Sequence, residues 1–80
     1  MRIEAQFWGV TARLAGCDKR HLRLRAQASV ADAIAALTAD PALGADLPRC
    51  DYAIGADIVA PNHPLHDGDA LSVLPPVSGG

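Results

Sequence analysis

An α+β fold, with a mixed sheet of four to five strands packed on one main helix, is predicted by three observations. Apolar residues recur at every second position in Arg2–Trp8 and again in His21–Arg25, which is the period of a strand. One segment, Val30 to Leu37, places apolar residues at helical spacing behind a capping serine. Further short apolar runs bounded by turn residues follow it, so a lone helix has a sheet on which to bury its stripe. A chain of 80 residues is one domain in size and buries only about 60–65% of its unfolded surface. A large enclosed substrate cavity is therefore not expected, and function belongs on a surface or a tail.

In the first strand Ile3, Ala5 and Phe7 share one face, and Arg2, Glu4, Gln6 and Trp8 share the other. Trp8 is the anomaly, a large apolar residue on a polar face. It either folds over the edge of the core or stands out as an anchor for a partner. Gly9 and Gly16 bracket a segment of about one helical turn. His21-Leu22-Arg23-Leu24-Arg25 gives an edge strand whose outward charges discourage pairing with other chains, and it forms a hairpin with the first. Ser29 caps the helix, with Asp32 three residues on as a weak capping box. Val30, Ala33, Ile34 and Leu37 form its buried stripe, and Asp40-Pro41 ends it. Pro41 opens a short turn, and Leu43-Gly44-Ala45-Asp46-Leu47-Pro48 reads as loop. Tyr52–Gly55 is a third strand, and Ile58-Val59 starts a fourth that Pro61-Asn62 cuts off. Asp67-Gly68-Asp69 marks a turn, and Ala70–Leu74 is the last strand, closed by Pro75-Pro76. Pairing the first and last strands in parallel at the sheet centre gives a β-grasp, or ubiquitin-like, fold. Residues 1–75 form its body and residues 76–80 an extended tail.

Composition excludes several function classes. Half the residues are hydrophobic, too many for a disordered chain, and no apolar run approaches the length of a membrane span. The N-terminus runs straight into alternating residues rather than a leader, so a soluble, cytoplasmic protein is expected. Residues 1–25 carry a net charge of +4 and residues 26–80 a net of −6. The basic set alternates with apolar residues and has no interleaved aromatics for stacking bases, so it reads as a solvated strand face and not a nucleic-acid surface. Cys17 and Cys50 form no CxxC pair, and a site of Cys17, His21, Cys50 and His63 matches no standard zinc spacing. No bound metal or cofactor is expected.

The chemistry sits at the end of the sequence. Residues 70–80 carry no charged side chain. Pro75-Pro76 favours extended backbone at about 3.1 Å per residue, so residues 76–80 reach roughly 15 Å from the sheet. Gly79 and Gly80 lack Cβ atoms and pass through a narrow slot. A terminal carboxyl has a reference pKa of about 3.3–3.7 and is anionic at neutral pH. A carboxylate on a thin, uncharged tail is a good group to activate.

The stretch Leu65-His66-Asp67-Gly68-Asp69-Ala70-Leu71-Ser72-Val73-Leu74-Pro75-Pro76-Val77-Ser78-Gly79-Gly80 resembles the end of the small subunit of molybdopterin synthase, over about a fifth of the chain. Phe7-Trp8-Gly9 through Leu14-Ala15-Gly16 resembles that family's first strand and turn less tightly. The chain departs from the family pattern at Ala12-Arg13, Gly55 and Leu74, all in the body rather than the tail. The resemblance implies a sulfur carrier. In that family an adenylating, E1-like enzyme uses ATP to form an acyl-adenylate on the terminal glycine, here Gly80. Sulfur from a persulfide donor replaces AMP to leave a thiocarboxylate, and the tail enters the large subunit to build the dithiolene of molybdopterin. Gly79 supplies clearance. Catalytic acid–base groups lie on the large subunit, in a heterotetramer of two small and two large chains, so the small subunit is a sulfur donor and not itself a catalyst. Trp8, Leu74, Pro75, Pro76 and Val77 are the residues expected to dock on it. Asp67 and Asp69 form a carboxylate pair in sequence, but flanking Gly68 they read as a structural turn.

Other readings stand beside this one. A sulfur carrier for thiamine shares the fold, although such carriers are generally shorter and lack the Pro-Pro-Val-Ser run. A stand-alone carrier for a different sulfur-containing metabolite is harder to set aside than the thiamine carrier. A ubiquitin-like modifier would join its terminal glycine to lysines of targets; the single Lys19 makes self-conjugated chains awkward. A pure interaction module would tolerate an added C-terminal residue, which a carrier would not.

Overall fold

Ile3, Ala5 and Phe7 bury one face of β1 (Arg2–Phe7), and everything else is arranged about that face. The structure, a computed structural model, describes residues 1–76; the expectations on Val77, Gly79 and Gly80 lie outside the described residues. After β1 come α1 (Val10–Ala15), β2 (Lys19–Arg23), α2 (Val30–Thr38), α3 (Pro41–Gly44), a 3₁₀ turn (Leu47–Arg49), β3 (Asp51–Ile54), β4 (Asp57–Ile58) and β5 (Ala70–Leu74). The five strands form one sheet in the order β2-β1-β5-β3-β4. β1 and β5 run parallel at its centre, with Ala5 opposite Leu71 and Phe7 opposite Val73, while the other pairs are antiparallel. This is the β-grasp arrangement that the alternation and the single long helix predict. Among the described residues no helix is long and apolar enough to cross a membrane.

α2 is held at its start by its own sequence. The Ser29 backbone N–H donates to the Asp32 carboxylate at 2.8 Å and the Ser29 hydroxyl at 3.3 Å, so Asp32 makes the reach-back half of a capping box. Arg25 Nη2 donates to the same oxygen at 3.1 Å. The Ser29 amide, with Arg25 beside it, holds the Asp32 carboxyl below its ordinary value of 3.8. A carboxyl depressed by folding contributes stability above its unfolded pKa and loses it as pH falls through the lower, folded value. Asp32→Asn should therefore melt below the parent at neutral pH, and the gap should close well below pH 3.8. Thermal melts at the two pH values check this.

Two elements differ most from the sequence expectation, and β3 and β4 each begin one residue earlier than expected. The stretch 43–48, expected as loop, contains the end of α3 and the start of the 3₁₀ turn, and Leu43 and Leu47 are fully buried. Asp40 caps α3 by accepting from the Ala42 N–H at 2.9 Å, and Pro41 pre-sets its first turn. Gly44 and Pro48 hid this pattern, because the apolar spacing they interrupt is only one turn long. The second strand spans 19–23 rather than 21–25. Arg20 takes an inward position yet keeps its charge at the rim: its guanidinium lies 5.7 Å from the Phe7 ring centroid and 3.2 Å from the Asp40 carboxylate. His21 and Arg23 point outward as expected, whereas Arg25 leaves the strand for Asp32.

Candidate functional site at the root of the tail

β5 carries the tail, and two neighbours fix where it leaves the sheet. Val73 is paired with Phe7 on one side and Tyr52 on the other, and Leu74 is opposite Asp51. Leu71 and Val73 are fully buried, so Leu74 turns to the face away from α2, half-buried. Pro75 is half-buried and Pro76 exposed. Trp8 follows the Phe7–Val73 pair by one residue, beside the end of β5, and its side chain is 54% exposed. It does not fold over the core edge. Of the residues expected to dock, Trp8, Leu74, Pro75 and Pro76 thus sit at one corner of the sheet.

Sequence reasoning missed two neighbours of that corner. Gly9 has φ +55°, and a Cβ there would meet Pro75 Cγ at 3.3 Å, so only glycine lets the turn after Trp8 approach the tail's root without strain. Thr11 is fully buried and hydrogen-bonded to the backbone of Trp8. A threonine three residues after an odd tryptophan was the available signal, but only the tertiary position gives it meaning.

The outer sheet face is divided. Over β1 and β2 it presents Arg2, Glu4, Gln6, Lys19, His21 and Arg23. Over β5, β3 and β4 it carries Ala70, Ser72, Leu74, the exposed Asp51 opposite Leu74, the buried Ala53, and Ile58, which is 64% exposed. Trp8 stands where the two halves meet the tail. A hollow of about 380 Å³ opens beside it, floored by Phe7 and Ala12 and rimmed by Asp18 and Lys19. A hollow of about 440 Å³ lies at the opposite end of β1, over Arg2, Glu4, His21 and Asp67.

Groups elsewhere are absorbed by the fold. Asp67 Oδ1 accepts from the Arg2 N–H at 2.7 Å, Asp69 Oδ2 accepts from the His66 N–H at 2.8 Å, and the Asp69 carbonyl accepts from the Glu4 N–H at 2.9 Å. The Asp-Gly-Asp turn therefore aligns the starts of β1 and β5. The Cys50 thiol lies 3.3 Å from the Asp46 carbonyl, and burial, reinforced by Asp46 and Asp51, pushes its pKa up, away from the nucleophilic thiolate. Burial likewise pushes the Tyr52 phenol up to about 12, and it donates to the Leu47 carbonyl at 2.9 Å. Among the described residues no three His, Cys, Asp or Glu side chains converge as a metal site would need. The described surface presents a tail root with an exposed aromatic beside it.

Comparison with known proteins accounts for such a design. The model of the ThiS family matches residues 5–80, nearly the whole chain with its tail. The chain belongs to the ThiS family. A protein of Chlamydomonas reinhardtii named molybdopterin synthase sulfur carrier subunit is 30% identical, with 100% of both chains covered. SAMP1 of Haloferax volcanii, a small archaeal modifier protein, superposes with a TM-score of 0.90 at 27% identity over 100% of both chains. A Helicobacter pylori structure, a complex of subunits 1 and 2 of molybdopterin-converting factor, gives a TM-score of 0.76 at 28% identity, again over 100% of both chains.

Proposed function

We propose that this ThiS-family chain is the sulfur-carrier subunit of a molybdopterin synthase, with Gly80 as the group that carries sulfur. The observation that supports it most is a match that reaches through the tail: the family model covers residues 5–80, and a relative matched over its full length at 30% identity is named a sulfur carrier subunit. In this reading an adenylating enzyme joins the Gly80 carboxylate to AMP from ATP. That converts a poor electrophile into one with a good leaving group. The outer persulfide sulfur displaces AMP to form an acyl disulfide. A second thiol cleaves its S–S bond by forming a disulfide with the donor, and the thiocarboxylate so released is a soft nucleophile for a pterin precursor held by the large subunit. In this reading residues 76–80 are the tail and acid–base groups come from a partner subunit; the fold's likeness to a chain solved as a complex of two converting-factor subunits supports such a partner. The chain itself binds no cofactor; it carries sulfur covalently.

The corner around Trp8 is the docking surface in this reading. Aromatic residues dominate interface hot spots, and an exposed apolar patch on a small domain marks an interface. Trp8, Leu74, Pro75, Pro76 and Val77 dock on the large subunit and aim the tail inward. Trp8→Ala should weaken that complex by about 2 kcal/mol or more, with a much smaller fall in the isolated domain's stability because the ring is 54% exposed. Titration calorimetry and thermal melting separate the two. Unchanged affinity with a large loss of stability would move the docking surface elsewhere.

A second reading, a protein modifier, is favoured by the likeness to SAMP1. One reconstitution decides between them. With adenylating enzyme, ATP, a persulfide donor, the large subunit and a pterin precursor, a carrier yields dithiolene product. A modifier yields lysine-linked conjugates and no sulfurated pterin.

A further inference from the structure

Trp8 is 54% exposed at the tail's root, yet it stands one residue beyond β1, past the last register pair. An exposed anchor binds well only if its backbone is already in place, since ordering it on binding subtracts from affinity. The structure holds it through one residue. Thr11 is fully buried and is the single buried polar residue among the described ones. Its hydroxyl donates to the Trp8 carbonyl at 2.6 Å and accepts from the Trp8 N–H at 3.1 Å. Its own backbone N–H also donates to the Trp8 carbonyl, at 3.1 Å. Both peptide groups flanking the Trp8 side chain are therefore gripped by Thr11. The same hydroxyl lies 3.5 Å from the carbonyl of Val73, the residue before Leu74, so it sits between the exits of β1 and β5.

A purely apolar residue would fill this site as well as threonine does. The hydroxyl is what the Trp8 peptide requires, because a buried polar group is kept where its hydrogen bonds are made. We propose that Thr11 is a positioning residue: through its hydroxyl it pre-sets Trp8, and with it the docking corner at the tail's root, for the partner. This rests on the reading of the chain as a carrier that docks on a synthase large subunit. Thr11 is fully buried, and it acts through Trp8.

Four chains test it: the parent, Thr11→Val, Thr11→Ser and Thr11→Ala. Threonine and serine keep the hydroxyl, and valine and alanine lack it. Threonine and valine keep the second γ-branch, and serine and alanine lack it. Trp8 is the only tryptophan, so its fluorescence anisotropy reports this site alone, and the order parameter of its backbone amide reports the peptide. Parent and Thr11→Ser should keep an amide order parameter of about 0.85, while Thr11→Val and Thr11→Ala fall toward about 0.6. Affinity for the large subunit encoded in the same genome should follow that grouping, about tenfold weaker without the hydroxyl. Should valine not fold, the serine–alanine pair alone decides. Grouping by γ-branch, parent with Thr11→Val against the other two, would make Thr11 a packing residue and overturn the proposal. So would a Trp8 amide that loosens without loss of affinity. A parent chain that fails to bind the large subunit overturns the carrier reading itself, and this inference with it.

Discussion

Adding one alanine after Gly80, or deleting Gly80, is expected to abolish thiocarboxylation while leaving the fold and its melting temperature unchanged. The added residue turns the Gly80 carboxylate into an amide, which has no free oxygen for the adenylating enzyme to join to AMP. It also places a Cβ on the new last residue. The deletion keeps a carboxylate but shortens the chain by one residue, about 3.8 Å between consecutive Cα atoms, enough to miss a reaction geometry that tolerates errors of about 1 Å or less. The fold is indifferent to either change, because the described core ends at Val73. Normal sulfur transfer by the extended chain would remove Gly80 from the mechanism. It is also the result that a pure interaction module predicts.

Gly79→Val is expected to lower sulfur transfer by roughly a hundredfold, the scale on which small misplacements act, at nearly unchanged thermal stability. A β-branched side chain widens the tail where clearance is needed and restricts its backbone. Transfer rates and melts of the same preparation separate the two effects. A variant that melts much earlier but transfers normally when folded would make Gly79 structural.

Much of the fold was legible because it is local. The alternation of Ile3, Ala5 and Phe7, the Ser29 and Asp32 signals before the apolar stripe of α2, and the Asp67-Gly68-Asp69 turn each report on a few consecutive residues. The parallel pairing of β1 with β5 followed from having one helix and a strand on either side of it. Leu43 and Leu47 were missed because their turns are too short to show a period and are stabilised by burial against the rest of the core. Arg20 was missed because a charged residue at an inward strand position breaks the alternation unless its side chain reaches the rim.

The site divides in the same way. The tail was legible residue by residue, and so was the oddness of Trp8. That Trp8 stands outside the core, that Gly9 makes room for Pro75, and that Thr11 holds the Trp8 peptide depend on the register of β1 against β5. No local pattern encodes that register.

The most direct test is the intact mass of the purified chain after incubation with the adenylating enzyme, ATP, a persulfide donor and a thiol reductant. Sulfur carriage at Gly80 predicts a gain equal to the exchange of one oxygen for one sulfur, dependent on ATP and confined to the C-terminal fragment. An unchanged mass, with the same enzyme active on another carrier, would contradict it. A gain found instead on the fragments holding Cys17 or Cys50 would contradict it equally.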